Sequence, residues 1–426
     1  MSTYQLPPSW ASKRLKYVAS YNDETLPEST DELDEIEYVE ISDVSLTGGV
    51  QASQRMAFGD APSRARRRVR SGDILISTVR TYLKAIAPVE DAPDDLIAST
   101  GFCVVRPGPD VDSGFLGWVA QSEPFVNEVV ARSVGVSYPA INASELVTIS
   151  VPLPPLDVQR RIARFLDDKT ARIDALVEKK RALLDRLAEK RQSLITAAVT
   201  KGLDPDVPMK PSGVEWLGNV PEHWKVVPLK RLGTVRSGIT KGKTYSDEET
   251  ATLPYLRVAN VQDGWLDLSD VSEIEVRVAD VERYSLRDGD ILMNEGGDND
   301  KLGRGSVWRS QIPTCLHQNH VFAVRLESAN PDWVARCTEA SYAKFHFYRR
   351  AVQSTNLASI SKAVVNDLPV PLPPPDEVTQ TLNSLNSTIE QLNTLKERIQ
   401  RSVETQEEYR AALVTAAVTG QIEDLR

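Results

Sequence analysis

The sequence predicts an α+β protein built as a tandem duplication. Two α+β domains are each followed by a long helix, and the helices pair as an antiparallel coiled coil about a pseudo-two-fold axis. Three observations carry this. Val151-Pro-Leu-Pro-Pro155 reappears as Val370-Pro-Leu-Pro-Pro374, and Leu194-Ile-Thr-Ala-Ala-Val-Thr200 as Leu413-Val-Thr-Ala-Ala-Val-Thr419, both at an offset of 219 and with no gap between them. The residues after the first Pro-Pro place a mostly apolar seam at alternating steps of four and three, as a helical seam requires, and those after the second carry a sparser apolar stripe. The stretches before them contain short β-branched runs bounded by Gly, Pro and Asp, as strands do.

The boundaries follow. Residues 1–155 form the first domain, 156–202 the first helix, 203–372 the second domain and 373–426 the second helix. In the first domain Asp73–Val79 and Phe102–Arg106 read as strands and Phe115–Arg132 as helix; in the second, Tyr255–Val261, Asp290–Met293 and Val321–Arg325 are strands and Trp333–Val352 is helical. Weaker echoes align the domains themselves. Gly72-Asp-Ile-Leu75 answers Gly289-Asp-Ile-Leu292, Tyr38–Val44 answers Tyr255–Val261, and Pro7–Trp10 answers Pro221–Trp224. The first helix should run from an N-cap at Asp157 to a stop at Gly202, with a seam at 162, 166, 169, 173, 176, 180, 183, 187, 190 and 194 that includes Lys169, Lys180 and Lys190 on long apolar stems. At 1.5 Å per residue it would extend roughly 65 Å. The second helix, Asp376–Thr419, has Leu385, Leu392, Leu395, Ile399, Val403 and Leu413 as its apolar stripe. Neither stripe can be hidden alone, so the helices are expected to cover each other.

Composition narrows the function. A chain of 426 residues with 41% hydrophobic and 26% charged residues is ordinary globular material. No apolar run of 18 residues is present and the first ten residues lack signal-peptide character, so a cytoplasmic location with no membrane partner is expected. Three widely spaced cysteines, Cys103, Cys315 and Cys337, fit reduced thiols. The net charge of −10 argues against a nonspecific coat on nucleic acid. Residues 151–202 are nevertheless basic, with 12 Lys and Arg against 7 Asp and Glu.

No catalytic or metal signature is expected to operate. Ser237-Gly-Ile-Thr-Lys-Gly-Lys-Thr244 is one residue short of a phosphate-binding loop, but Tyr245-Ser-Asp-Glu-Glu cannot open the apolar helix such a loop needs. His317 and His320, with Cys315 and Cys337, could be imagined as zinc ligands, yet the first copy has Ala98, Gly101, Leu96 and Trp118 in their places. No Ser/His/Asp or Cys/His arrangement and no methyltransferase signature is found, although Asn330-Pro-Asp-Trp333 resembles one. A binding protein without cofactor or metal is expected, not an enzyme.

The polar loops point to DNA. Arg64, Arg66, Arg67, Arg68 and Arg70 place five guanidinium groups within seven residues, suited to phosphates and guanine edges; the alternative is a solvated charge run that balances Asp23–Asp43. After the shared Gly-Asp-Ile-Leu strand the copies diverge. One offers Ser77, Thr78, Arg80, Tyr82 and Lys84, the other Asn294, Lys301 and Arg304. One scaffold with different polar loops is what two readers of different base sequences need, although loop drift would look similar. The loops before the following helix add Ser137, Tyr138 and Asn356, and Arg236, Lys241, Lys243, Gln318 and Asn319 complete the candidate set in the second domain.

These features resemble the specificity subunit of type I restriction-modification enzymes. The carrying residues are Ile149-Ser-Val-Pro-Leu-Pro-Pro-Leu-Asp-Val-Gln-Arg-Arg-Ile-Ala163 with Phe165-Leu-Asp167, Leu194–Gly202, and Ser212-Gly-Val-Glu-Trp-Leu-Gly218 with Val220-Pro-Glu-His-Trp224. Val158 stands where the family has Glu before Gln159, and Val378 replaces that Gln in the second helix, which bears only on local capping. The resemblance implies two target recognition domains, each reading one half of a split site in double-stranded DNA. It also implies helices that set the unread spacer and dock two methyltransferase (M) subunits bringing S-adenosylmethionine. Restriction/translocase (R) subunits, with ATP and Mg, would join them. Two other functions remain open: a coiled-coil adaptor whose heads bind proteins, and a nucleotide hydrolase centred on Lys243.

Overall fold

The computed structural model describes residues 6–242, 245, 248–297, 302–353 and 357–426. Two compact units partition the chain, Met1–Arg181 with Gln400–Arg426, and Ala182–Ile399. The first long helix, Leu156–Lys201, and the second, Pro375–Val418, therefore each contribute one half to each unit.

In the first unit, a four-stranded antiparallel sheet has the order Ala19–Tyr21, Phe102–Pro107, Ile74–Ser77, Ile86–Pro88. A second sheet has the order Gln54–Ala57, Glu35–Val39, Leu96–Ser99, Ala65–Arg68, with its middle pair parallel. The helical segment read over Phe115–Arg132 is two helices, Ser113–Gln121 and Glu123–Arg132; the chain turns extended at Ser122 between them, Pro124 sits in the first turn of the second, and Asp112 caps the first helix by accepting from the Phe115 amide. Their apolar faces, with Ile74, Ile76, Cys103 and Val105, share one core with Ile162, Leu166, Val414 and Val418 of the long helices.

The second unit repeats the plan. Its antiparallel sheet runs Gly233–Ser237, Val321–Leu326, Ile291–Asn294, Gly305–Val307, and its second sheet runs Ser272–Arg277, Thr250–Leu256, Leu316–His317, again with one parallel pair. The predicted strand Tyr255–Val261 ends at Leu256 and passes into a 3-10 turn at Val258–Asn260. Trp224, Trp333, Phe322 and Phe347 fill a core with Ile195, Val199, Leu382 and Leu385.

The same buried ion pair locks both frames. Arg106 clamps Asp73 through Nε and Nη2, each at 2.8 Å; Arg325 clamps Asp290 through the same two nitrogens at 2.8 and 2.6 Å. Each Asp sits in Gly-Asp-Ile-Leu, is 1% exposed, and accepts a further backbone N–H, from Arg70 and Arg287 respectively. This explains why the motif survives in both copies: a buried carboxylate left without its fork costs several kcal/mol. The preceding glycines, Gly72 and Gly289, have φ of +88° and +83°, the left-handed region that favours glycine.

Within the first unit the long helices are antiparallel, with Asp174 paired to Arg410 at 2.8 Å and Lys180 to Ser402 at 2.6 Å. The predicted seam is displaced by one residue at alternate positions. Thr170 and Val177 are buried, while Leu176 and Leu183 are 42% and 43% exposed and Lys169 and Lys190 face solvent. The rotation removes two ammonium groups from the seam, and the Thr170 hydroxyl that replaces one of them donates to the Leu166 carbonyl. Asp157 lies inside the first turn; the helix begins at Leu156, and the Pro155 carbonyl accepts the Gln159 amide. Gln159, 1% exposed, bridges that turn to the Asp112 amide. Gly202, at φ +76°, ends the helix. All three cysteines are buried free thiols pushed up to about 12 by burial. No helix among the described residues is long and apolar enough to cross a membrane.

Candidate nucleic-acid interface

In each unit the loop after the Gly-Asp-Ile-Leu strand meets the loop before the next short helix. In the first, Val79 bridges Ala140; in the second, Gly296 pairs with Ser359 and Gly297 with Ala358. These are equivalent positions of the duplication. Loops 61 residues apart in the first unit and 61 to 63 in the second are thus joined by the same backbone device.

The first unit's junction gathers several predicted residues. Arg80 Cζ lies 4.7 Å from the centre of the Tyr138 ring, and the Arg80 amide donates to the Pro139 carbonyl at 2.8 Å. Arg80 and Lys84 are both left-handed, at φ 51° and 53°, and bracket the 3-10 turn Thr81–Leu83. Thr81 and Ser133 share a hydroxyl bond of 2.7 Å that ties the loops from below. Residues 134–140 form a tight finger closed by reciprocal Val134–Ala140 backbone bonds, with Val136, Ser137 and Tyr138 exposed at its tip. Gly135 has φ +121° and lies so near the Tyr138 carbonyl that a Cβ would sit 3.1 Å away. Tyr82 and Lys84 are exposed on the facing loop. Ser77 is buried and donates to the Val79 carbonyl, and Thr78 to the Gly101 carbonyl; both hydroxyls shape the loop from within.

The arginine cluster is less free than its sequence suggests. The acidic stretch, distant along the chain, folds against it: Arg64 pairs with Glu40, Arg70 with Glu24 at 2.7 Å, and Arg67 donates to the Thr25 hydroxyl. Arg66 covers the Phe58 ring at 4.6 Å. The Arg106 and Arg70 guanidiniums hold the Glu24 carboxyl below its usual range. Arg68 alone of the five is exposed with no side-chain partner among the described residues.

In the second unit the rim is of different chemistry. Gln318 and Asn319 are half-buried beside the loop that follows Ser237, where the Ile239 amide donates to the His317 carbonyl at 2.8 Å and the Ile239 carbonyl accepts the Asn319 amide. Gly238 makes that approach possible, since a Cβ there would meet the His317 carbonyl at 1.8 Å. The next described element after this glycine-rich loop is the strand Thr250–Leu256. Lys241 is exposed; Lys243, Lys301 and Asn356 lie outside the described residues. Asn294 is buried and donates to the Val261 carbonyl at 2.9 Å, so it holds the loop's root. Arg304 is half-buried, and its carbonyl accepts the Asn294 amide. Arg236 donates to the Arg283 carbonyl, and burial beside Arg325 lowers its pKa.

Two further residues stand at this rim outside the candidate DNA-contact set, one of them, His320, weighed in the sequence only as a zinc ligand. His320 Nδ1 lies 2.6 Å from Glu295 Oε2, and His320 Nε2 is 3.2 Å from Asn319 Nδ2. Glu295 adjoins Asn294 within the divergent loop, which was the available signal. His317, by contrast, is internal: Nδ1 bonds the Val321 carbonyl at 2.7 Å, and burial pushes its pKa down to about 4. Among the described residues no three His, Cys, Asp or Glu side chains gather as metal ligands would.

Comparison with known proteins gives consistent results. Residues 7–186 match the family described as the type I restriction modification DNA specificity domain. The chain is 22% identical over 328 residues to the type I restriction enzyme EcoKI specificity subunit of Escherichia coli K12, spanning 75% of this chain and 68% of that protein. It is 24% identical over 203 residues to the putative type I restriction enzyme MjaX specificity subunit of Methanocaldococcus jannaschii, and 25% over 214 residues to the StySPI specificity subunit of Salmonella potsdam; these matches span 47% and 44% of the relatives' lengths and 44% and 48% of this chain. Two solved structures share the fold at 23% identity. One, from work on complex assembly and conformational transition of the type I R-M system, has a TM-score of 0.75 over 98% of this chain and all of that one. The other, the HsdS subunit from Thermoanaerobacter tengcongensis, has a TM-score of 0.51 over 99% of both chains.

Proposed function

We propose that this chain, which belongs to the family of type I restriction-modification specificity subunits, is the sequence-reading subunit of such a complex, each unit reading one half of a bipartite site in double-stranded DNA. The observation that carries this reading is the repeated loop junction. Val79–Ala140 and Gly296–Ser359 set the same pair of loops on the same frame, yet the side chains they display differ in charge and hydrogen-bonding type. Backbone-positioning surfaces can be shared between two readers, whereas base-reading surfaces cannot.

The chain supplies recognition, not catalysis. Two methyltransferase subunits would bring S-adenosylmethionine and the adenine chemistry, and restriction subunits would add ATP- and Mg-dependent translocation. The long helices set the unread spacer in this reading. In this reading the methyltransferase subunits dock on the helices, where the second unit leaves Leu183 and Leu395 exposed. With a net charge of −10, the chain relies on those partners for much of the phosphate contact. No cofactor is assigned to the chain itself, and the assembly would work in the cytoplasm, where the host DNA lies.

The test is single-molecule sequencing of adenine methylation in cells expressing the methyltransferase with and without this chain. Two short defined blocks around a fixed gap, present only with the chain, are expected. An identical methylation pattern with and without it, in cells where the complex is shown to assemble, would leave the protein-binding adaptor as the function.

A further inference from the structure

We propose that Arg80, laid over the Tyr138 ring, reads a guanine in the half-site of the first unit. The inference rests on the DNA-reading function and adds to it the base and the residue that recognises it.

Arg80 differs from the paired arginines of its unit by what it lacks, and from Arg68, which also has no side-chain partner among the described residues, by the ring it lies on. Arg64, Arg70, Arg106 and Arg132 each face a carboxylate, on Glu40, Glu24, Asp73 and Glu128. Arg80 is exposed, and its guanidinium has no acceptor among the described residues; it lies over the aromatic face of Tyr138. The donors are therefore unspent while the group's position is fixed. A guanidinium stacked on a ring loses less rotamer freedom on binding than a free one, so the fork is preorganised.

The backbone holds this placement under strain. A left-handed conformation is unfavourable for a residue with a Cβ. Arg80 keeps it through the Pro139 carbonyl, the Val79–Ala140 bridge and the Thr81–Ser133 hydroxyl bond. The partner ring is delivered by a finger whose turn requires Gly135. Two loops are thus built to bring one cation and one ring together at an exposed rim.

The chemistry then selects the base. Arginine presents donors only. In the major groove guanine shows two adjacent acceptors, N7 and O6, that match the fork, whereas adenine pairs its N7 with a donating amino group and cytosine presents a donor. Lys84 and Tyr82, exposed on the same loop, are placed for phosphate and sugar contacts that orient the fork.

The experiment uses the assembled methyltransferase complex. For the wild type, the block read by the first unit should contain a guanine. Arg80→Ala and Arg80→Lys should both relax preference at that position by roughly tenfold to 100-fold, the worth of one bidentate contact. The other block should stay unchanged, which shows that the complex assembled. Tyr138→Phe should keep the preference and Tyr138→Ala should weaken it. A second measurement needs no folding of a variant: wild-type complex on duplexes with 7-deazaguanine at that position should bind about tenfold more weakly than on guanine, from loss of the N7 acceptor. A split motif whose first block lacks guanine, or one that Arg80→Ala leaves intact, overturns the Arg80 assignment while the DNA-reading function stands. A uniform loss of methylation with every base preference retained would make Arg80 a phosphate contact and also overturn it. Absence of any split motif in the wild type removes both.

Discussion

The two units share a frame and differ at the rim. Asp73–Arg106 and Asp290–Arg325 are the same buried lock, and both units have the same four-strand antiparallel order and the same loop junction. The first rim carries two cations and two aromatic rings, Arg80, Lys84, Tyr82 and Tyr138. The second carries amides, an imidazole and a carboxylate, Gln318, Asn319, His320 and Glu295. All four histidines of the chain, His223, His317, His320 and His346, belong to the second unit. The difference shows where the duplicated sequence was free to change. Residues that hold the frame are buried with fixed partners, while rim residues bear no core and can diverge at little cost in stability.

The largest effect should come from the locks. Arg106→Met and Arg325→Met each leave an almost fully buried carboxylate unpaired and should cost about 3–5 kcal/mol, read by denaturant unfolding. Equal losses support one frame used twice; a loss in only one unit breaks the equivalence.

Acid should separate the units next. Burial pushes the folded pKa of His317 down to about 4 from the 6.5 of a free imidazole, so between these values the unfolded chain binds the proton and the folded one does not. Its contribution is complete above pH 6.5 and is lost as pH falls, by about 2 kcal/mol at pH 5. Burial lowers the pKa of His346 as well, in the same direction. Hydrogen exchange at pH 7 and pH 5 should show loss of protection in the second unit, with the first, which has no histidine, little changed. Equal loss in both would place the acid sensitivity elsewhere.

A smaller change is expected at the second rim. Glu295 offers an acceptor where the first rim offers donors, and acceptors read the amino groups of cytosine or adenine. Glu295→Ala should relax one position of the second block by about tenfold and leave the first block intact. The smallest effect belongs to the exposed Arg181–Glu407 pair, whose side chains are 55% and 48% exposed; Glu407→Gln should change stability by less than about 1 kcal/mol.

Much of the fold was legible because it is periodic or repeated. The 219-residue offset pointed to two long helices, which run Leu156–Lys201 and Pro375–Val418; the second ends short of the 373–426 segment assigned to it. The seam was displaced because spacing alone did not weigh an ammonium at Lys169 against the hydroxyl of Thr170, which satisfies itself on its own helix. The rim was legible as residue types but not as contacts. Arg80 and Tyr138 are 58 positions apart, and only the strand pairing between them brings them together. For the same reason the partners of Arg64 and Arg70, Glu40 and Glu24, could not be assigned from the sequence. Ser77 and Asn294 stood in the divergent loops, but each ends a strand whose residues are all buried, and the Ser77 hydroxyl and the Asn294 side-chain N–H donate to backbone carbonyls inside the unit.

The central claim is that each unit reads its own half of one split site. Replacing residues 1–150 with the corresponding unit of another specificity subunit and mapping adenine methylation tests it most directly. One block of the motif should change while the other block and its methylation stay as they were. A change in both blocks, or in neither, would contradict it.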